Sequence, residues 1–186
     1  MVPLIIIGCV VLVIIAFIWI TYNSLVKLNE RVNEAWSDIT VQLKYRADLI
    51  PNVVETVKGY AKHEKEAFEN VTKARSAVMS ARSVQGVAVA EKSMEGALSK
   101  IFAIAEAYPE LKANTNFQKL QQQLQDVEDK IQAARRFYNN GAQELNTKIK
   151  MFPVNLFHGF GFKPREYFEV DAAEAAKIKD APEVKF

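Results

Sequence analysis

Residues 22–63 read YNSLVKLNERVNEAWSDITVQLKYRADLIPNVVETVKGYAKH, and their apolar side chains return at helical spacing: Tyr22, Val26, Val32, Trp36, Ile39, Leu43, Ile50, Val54, Val57 and Ala61. The same phase runs on through Phe68, Val71, Ala74 and Val78, with no sustained strand alternation. A long amphipathic helix is expected, its apolar stripe facing a core. Pro51 is the one proline between Thr21 and Tyr108, and the apolar phase is unchanged on either side of it. A bend within the helix is the simplest account, because proline removes a backbone donor and crowds the preceding turn. A full break at that point is the alternative.

Upstream, residues 2–20 read VPLIIIGCVVLVIIAFIWI, and the first 20 residues carry none of the 24 basic and 22 acidic side chains. A helix rising ~1.5 Å per residue needs about 20 apolar residues to cross a hydrocarbon layer of ~30 Å. Trp19 and Tyr22 stand at the downstream end, where amphipathic rings suit the headgroup region. A cleaved signal peptide would call for a basic leading region and a small-x-small site, and neither precedes Thr21. Ile6-Ile7-Gly8-Cys9 loosely resembles a lipoprotein box, but the apolar run continues well beyond Cys9. The lipid bilayer is therefore the expected partner of residues 2–20. No Lys or Arg precedes the span, whereas Lys27 and Arg31 follow it, so the C-terminal body is expected on the cytoplasmic side of the cell membrane.

Downstream, ARSVQGVAV at residues 81–89 has weak periodicity and contains Gly86, which places a chain reversal near it. A second helix is expected over about 90–107, with Met94, Leu98, Ile101, Phe102 and Ala105 facing the core, and Tyr108-Pro109 ends it. After a linker around 111–115, a third helix is expected over about 116–151. Phe117, Leu120, Leu124, Val127, Ile131, Ala134, Tyr138, Leu145 and Ile149 form its apolar side. Asn139-Asn140-Gly141 would ordinarily suggest a turn, but Tyr138, Ala142 and Leu145 hold the helical phase, so Gly141 reads as a weak point costing ~1 kcal/mol relative to alanine. Phe152-Pro153 closes the pattern. The tail beyond carries Phe157, Phe160, Phe162, Tyr167, Phe168 and Phe186 among glycines and prolines, and is expected to pack back along the bundle, a docking segment for a partner being the alternative. The fold class is thus all-α: an N-terminal transmembrane helix (1–20) continuing into an elongated antiparallel helical bundle (21–151), with an aromatic tail at 152–186.

Composition excludes several functions. A net charge of +2 over 186 residues gives no reason to expect a nucleic-acid partner. A single cysteine, Cys9, permits no intramolecular disulfide and no multi-thiolate metal site. His63 has only Glu64 and Glu66 beside it, and His158 has neither nucleophile nor orienting partner in view. The Glu-x-x-His spacing of carboxylate-bridged metal bundles is missing, so Glu64, Glu66, Glu69, Asp126, Glu128 and Asp129 read as solvated helix surface. GFGF lacks the lysine of a phosphate loop. No catalytic, metal or cofactor-binding residue is assigned, and no enzymatic activity is expected.

One polar cluster stands out. Gln42, Lys44, Arg46, Asp48 and Asn52 surround Leu49-Ile50-Pro51, and such groups beside a bend either tie neighbouring helices together or expose a binding surface. Arg135, beside Tyr138 and Asn139 on the third helix, is the expected partner of that network, and Tyr167 in the tail is a further candidate for interaction.

The string at 22–63 resembles the LemA family of bacterial membrane proteins. The similarity continues through AYPELKAN at 107–114, Asn116-Phe117, ARRFYN at 134–139, IKMFP at 149–153, GFKPREYF at 161–168 and the closing PEVKF. The resemblance implies an N-terminally anchored protein with a long-helix bundle outside the bilayer, and it brings no catalytic set. Its motifs map onto Tyr22, Trp36, Gln42, Arg46, Asp48, Pro51 and Asn52, and later onto Tyr108, Pro109, Asn114, Arg135, Tyr138, Asn139 and Pro153. One branch of similar proteins is associated with formation of magnetosome membranes. The expected function is a single-pass membrane scaffold or adaptor, acting through self-association or a membrane-protein partner. Regulation of a membrane protease or signalling protein, and membrane remodelling, are the alternatives.

Overall fold

The structure is a computed structural model and describes residues 2–156 and 161–168. Every regular element among them is helical: α1 Val2–Lys58, α2 Lys65–Ser80, α3 Val84–Ala107, α4 Pro109–Lys112 and α5 Thr115–Lys150, with a closing 3-10 turn at Val154–Leu156. The expectations for Phe157, His158, Gly159, Phe160, Pro182 and Phe186 fall outside the described residues.

α1 passes through Pro51 without a break. Proline cannot donate to the carbonyl four residues earlier, which here is that of the buried Ala47. Arg75 on α2 supplies the missing donor, its Nε lying 2.6 Å from the Ala47 carbonyl oxygen. A side chain from the neighbouring helix thus keeps the bond inventory of α1 complete at its weakest point.

The first helix does not run on to Val78 as the apolar phase suggested. It ends at Lys58, and Gly59–Glu64 turn the chain before α2 begins. Ala61 is fully buried in that turn, and its N–H still donates to the Val57 carbonyl at 2.9 Å. The next reversal is shorter and earlier than expected, confined to Ala81-Arg82-Ser83. Ser83 adopts an extended conformation and caps α3 by accepting from the Gly86 N–H, so Gly86 belongs to the helix and not to the turn. A three-residue connection with α2 packed along α3 makes the pair an antiparallel hairpin. Pro109 occupies the first position of α4, where its missing N–H costs nothing. Asn114 then caps α5, its Oδ1 accepting from the N–H groups of Asn116 and Phe117 at 2.9 and 3.0 Å.

The chain forms two compact units, each drawing on both α1 and α5. One comprises the described residues of 2–37 and 136–167. In it α1 and α5 are antiparallel: the Trp36 ring packs at a tilt against Tyr138 with centroids 5.6 Å apart, Val32 lies against Gly141, and Lys148 Nζ donates to Ser24 Oγ. Leu25, Leu28, Val32, Ala35, Tyr138, Ala142 and Leu145 are among its buried core side chains. Gly141 is a point of close approach, since a Cβ there would stand 3.2 Å from Val32 Cγ2. Tyr22, which shares the stripe's phase, is exposed and packs at a tilt against the Phe162 ring, with 5.9 Å between centroids.

The other unit comprises residues 38–135 and Phe168. Ile39, Leu43, Ile50, Val53 and Val57 of α1 are buried, as are Phe68, Val71 and Val78 of α2, Met94 and Ile101 of α3, Leu111 of α4, and Phe117, Val127 and Ile131 of α5. The expected stripes of α3 and α5 are therefore core, with Phe102, Leu120 and Ala134 at its half-buried margin.

Candidate functional site

Four charged side chains occupy positions on apolar stripes in the second unit. Arg46 follows Ile39 and Leu43 on α1. Glu91 lies between Val87 and Met94 on α3. Glu128 and Arg135 flank Ile131 on α5. Helical spacing therefore points all four inward, where an ionised group survives only if paired. Arg46 and Glu91 are 2% and 1% exposed and are joined to each other, and Arg46 Nη1 also reaches Glu128 Oε2 at 2.5 Å. Arg135 Nη2 donates to the second oxygen of Glu91 at 2.7 Å, while its Nη1 stands 3.8 Å from the exposed Glu95.

Glu91 is thus bridged by two guanidinium groups from two different helices. The Phe168 ring closes the outer side of Arg135, with 4.6 Å between the guanidinium carbon and the ring centroid. Among the described residues, Arg135 Nε is the buried side-chain nitrogen that lacks a hydrogen-bond partner. Burial raises the Glu91 carboxyl above its ordinary pKa, against the opposing charges of Arg46 and Arg135 and the hydrogen bond from Arg46. The two positive and two negative groups Arg46, Arg135, Glu91 and Glu128 balance, so the cluster can fix the mutual register of α1, α3 and α5.

The residues singled out from sequence are distributed as follows. Arg46 and Arg135 meet through Glu91. Asp48 is exposed and lies 3.9 Å from Arg75, while Asn52 is exposed and its backbone carbonyl accepts from Thr56 Oγ1 at 2.7 Å. Gln42 and Asn139 are half-buried, and Tyr167 is exposed. Tyr138 belongs to the first unit, where its hydroxyl donates to the Glu166 carbonyl at 2.9 Å, and burial raises its pKa. Glu128, expected on the solvated surface, is a half-buried partner of Arg46, because its place on the stripe turns it inward. Sequence reasoning passed over Glu91 altogether.

It also passed over a second polar arrangement, in the first unit. Asn146 and Arg165 exchange two hydrogen bonds: the Arg165 N–H donates to Asn146 Oδ1 at 2.7 Å, and Asn146 Nδ2 donates to the Arg165 carbonyl at 2.8 Å. The Arg165 guanidinium donates to Oδ1 of Asn29 and Asn33 on α1 at 2.8 and 2.9 Å. The short extended segment around Arg165 is thereby strapped to both helices. Among the described residues, no group of three or more His, Cys, Asp or Glu side chains could hold a metal ion.

An all-helical structure whose first helix is long and apolar enough to cross a membrane defines a membrane-associated helical-bundle protein. The chain belongs to the LemA family, whose model matches residues 35–186. It is similar to magnetosome protein MamQ 2 of Paramagnetospirillum magneticum (strain AMB-1), with 25% identity over 186 aligned positions covering 86% of this chain and 68% of the relative. It is similar to magnetosome protein MamQ of Magnetospirillum gryphiswaldense (strain MSR-1), with 26% identity covering 85% of this chain and 69% of the relative. Protein LemA of Metamycoplasma hominis is 29% identical over 137 aligned positions, covering 72% of this chain and 61% of the relative.

Proposed function

We propose that this protein is a single-pass scaffold or adaptor whose helical body is held at the cytoplasmic face of the cell membrane. The observation that carries the reading is the continuity of α1. The exposed apolar residues before Thr21 and the buried Leu25, Leu28 and Val32 lie on one uninterrupted helix, so no flexible linker separates the span from the rest of the first unit. A body joined to its anchor in this way presents its surfaces to other membrane proteins in a restricted orientation, which suits assembly. Lys27 and Arg31, directly after the apolar run, support the cytoplasmic placement. Interior-facing charges that pair with one another across helices favour a role in holding the bundle together.

In-membrane crosslinking of the full-length protein at native expression, followed by mass determination and identification of each captured chain, tests the reading. Discrete homomers or one dominant membrane-protein partner support it. Recovery of the monomer alone, at crosslinker doses that capture known complexes of the same membrane, counts against it. The relatives named as magnetosome proteins favour a second, narrower reading in which the assembly organises membrane. Its discriminator is a change in vesicle shape when the full-length protein is reconstituted.

A further inference from the structure

The register of α1 against α5 determines which side chains stand level with the end of the span. Lys148 Nζ donates to Ser24 Oγ, and at a rise of ~1.5 Å per residue Ser24 lies only ~6 Å beyond Ile20, where the apolar run ends. α5 heads toward that boundary and stops at Lys150. Met151 and Phe152 follow it with 57% and 77% of their surfaces exposed. Tyr22 and Phe162 pack together at the same end of the unit, and Trp19 is exposed one turn earlier. Large apolar side chains so open to solvent ordinarily mark a surface that something covers.

Charge says what covers this one. The chain has 22 acidic residues, yet neither residues 19–29 nor residues 145–164 contain any. Those two stretches carry Lys27, Lys148, Lys150 and Lys163. Rings and long apolar side chains beside cations of one sign match the headgroup layer of a bilayer, where rings settle at the headgroup level and lysines approach phosphates.

We propose that this end of the first unit is a contact surface for anionic lipid. Met151 and Phe152 enter the headgroup boundary, and Lys27, Lys150 and Lys163 meet lipid phosphates. The surface is a second attachment to the leaflet from which α1 emerges, so the inference rests on reading α1 as the bilayer span.

The test uses the full-length protein in nanodiscs of phosphatidylcholine with and without phosphatidylglycerol. Spin labels are placed one at a time at Phe152→Cys, Ile14→Cys and Glu34→Cys in a Cys9→Ser background, and collision with oxygen and with a water-soluble nickel complex is read by paramagnetic resonance. The expected result is a label at 152 that is shielded from nickel relative to 34 and moves deeper when phosphatidylglycerol is present. That shift should be lost in the combined Lys27→Gln, Lys150→Gln and Lys163→Gln variant, which leaves the Lys148 to Ser24 bond intact. A Met151→Cys label repeats the reading with Phe152 in place. A label at 152 as open to nickel as 34, with 14 in lipid, overturns the contact surface and leaves the anchor standing. Depth at 152 indifferent to phosphatidylglycerol and to the lysines overturns recognition of anionic lipid. A label at 14 open to nickel overturns the anchor and the inference together.

Discussion

Arg75 donates its Nε–H to the carbonyl oxygen of Ala47 at 2.6 Å, and Ala47 is the residue whose carbonyl Pro51 leaves without an intrahelical donor. The proline and the arginine form a compensated pair on two helices of one unit. Arg75→Met is expected to destabilise the protein by about 1–3 kcal/mol, the cost of leaving a buried acceptor unsatisfied. In a Pro51→Ala background, where the backbone N–H returns, the same change should cost much less. Urea denaturation of the four proteins in nanodiscs, followed by circular dichroism, gives the coupling. Additive effects would show that Arg75 does not stand in for the missing donor.

Glu91 is held between Arg46 and Arg135 with almost no surface exposed, and burial raises its carboxyl above the ordinary value. The native state then binds that proton more tightly than the unfolded chain does. The associated stabilisation is complete below the unfolded pKa and is withdrawn as pH rises through the folded one. Stability of the wild type relative to Glu91→Gln should accordingly increase as pH falls through the window above the usual carboxylate range. Glu95 and Glu128 are present in both proteins, so the comparison reads Glu91 together with its coupling to Glu128 through Arg46. A relative stability that decreases over that window would mean the two guanidiniums outweigh burial. At neutral pH, Glu91→Ala leaves Arg46 with Glu128 alone and should cost about 3–5 kcal/mol.

Gly141 permits α5 to approach α1 closely, and a Cβ at that position would meet Val32 Cγ2 at 3.2 Å. Alanine gains ~1 kcal/mol of helix propensity there but crowds Val32, so Gly141→Ala should be close to neutral. Gly141→Leu has no room and should destabilise by about 1–3 kcal/mol or more, with partial recovery in Val32→Ala. Thermal unfolding of the single and double variants decides it. A stabilising Gly141→Leu would mean the helices can separate at this level without loss.

Periodicity made the helices legible because long stripes at Ile39, Leu43 and Ile50, or at Leu124, Val127 and Ile131, leave little alternative. It concealed the turn at Gly59–Glu64, since Val57, Ala61 and Phe68 stay in phase across it and only Gly59 marks the interruption. The charge cluster was half legible. Arg46 and Arg135 drew notice through their polar neighbours, whereas Glu91, in VAVAEKSM, has no polar cluster around it and drew none. The available signal was positional: Arg46, Glu91, Glu128 and Arg135 each stand where the stripe calls for an apolar residue. The contacts of Arg165 with Asn29, Asn33 and Asn146 carried no such signal, because an asparagine on a helix gives no indication of a partner outside its own helix, whether 19, 132 or 136 residues away.

That last set leads to a local expectation. The Arg165 N–H is donated to Asn146 Oδ1, and Asn146 is buried, so the exchange of two hydrogen bonds holds the extended segment against α5. Asn146→Ala removes both bonds and should cost about 1–3 kcal/mol, mostly as release of the segment and not as loss of the helices. Hydrogen exchange by mass spectrometry should show faster labelling of the peptide containing residues 161–168, with peptides from the middle of α5 unchanged. Arg165→Ala keeps the exchange with Asn146, since both of those bonds use the Arg165 backbone, but loses the donors to Asn29 and Asn33. It should therefore loosen the segment less. Equal protection of 161–168 in wild type and Asn146→Ala would show that Tyr138 and the ring contact of Phe162 with Tyr22 are enough to hold the strap.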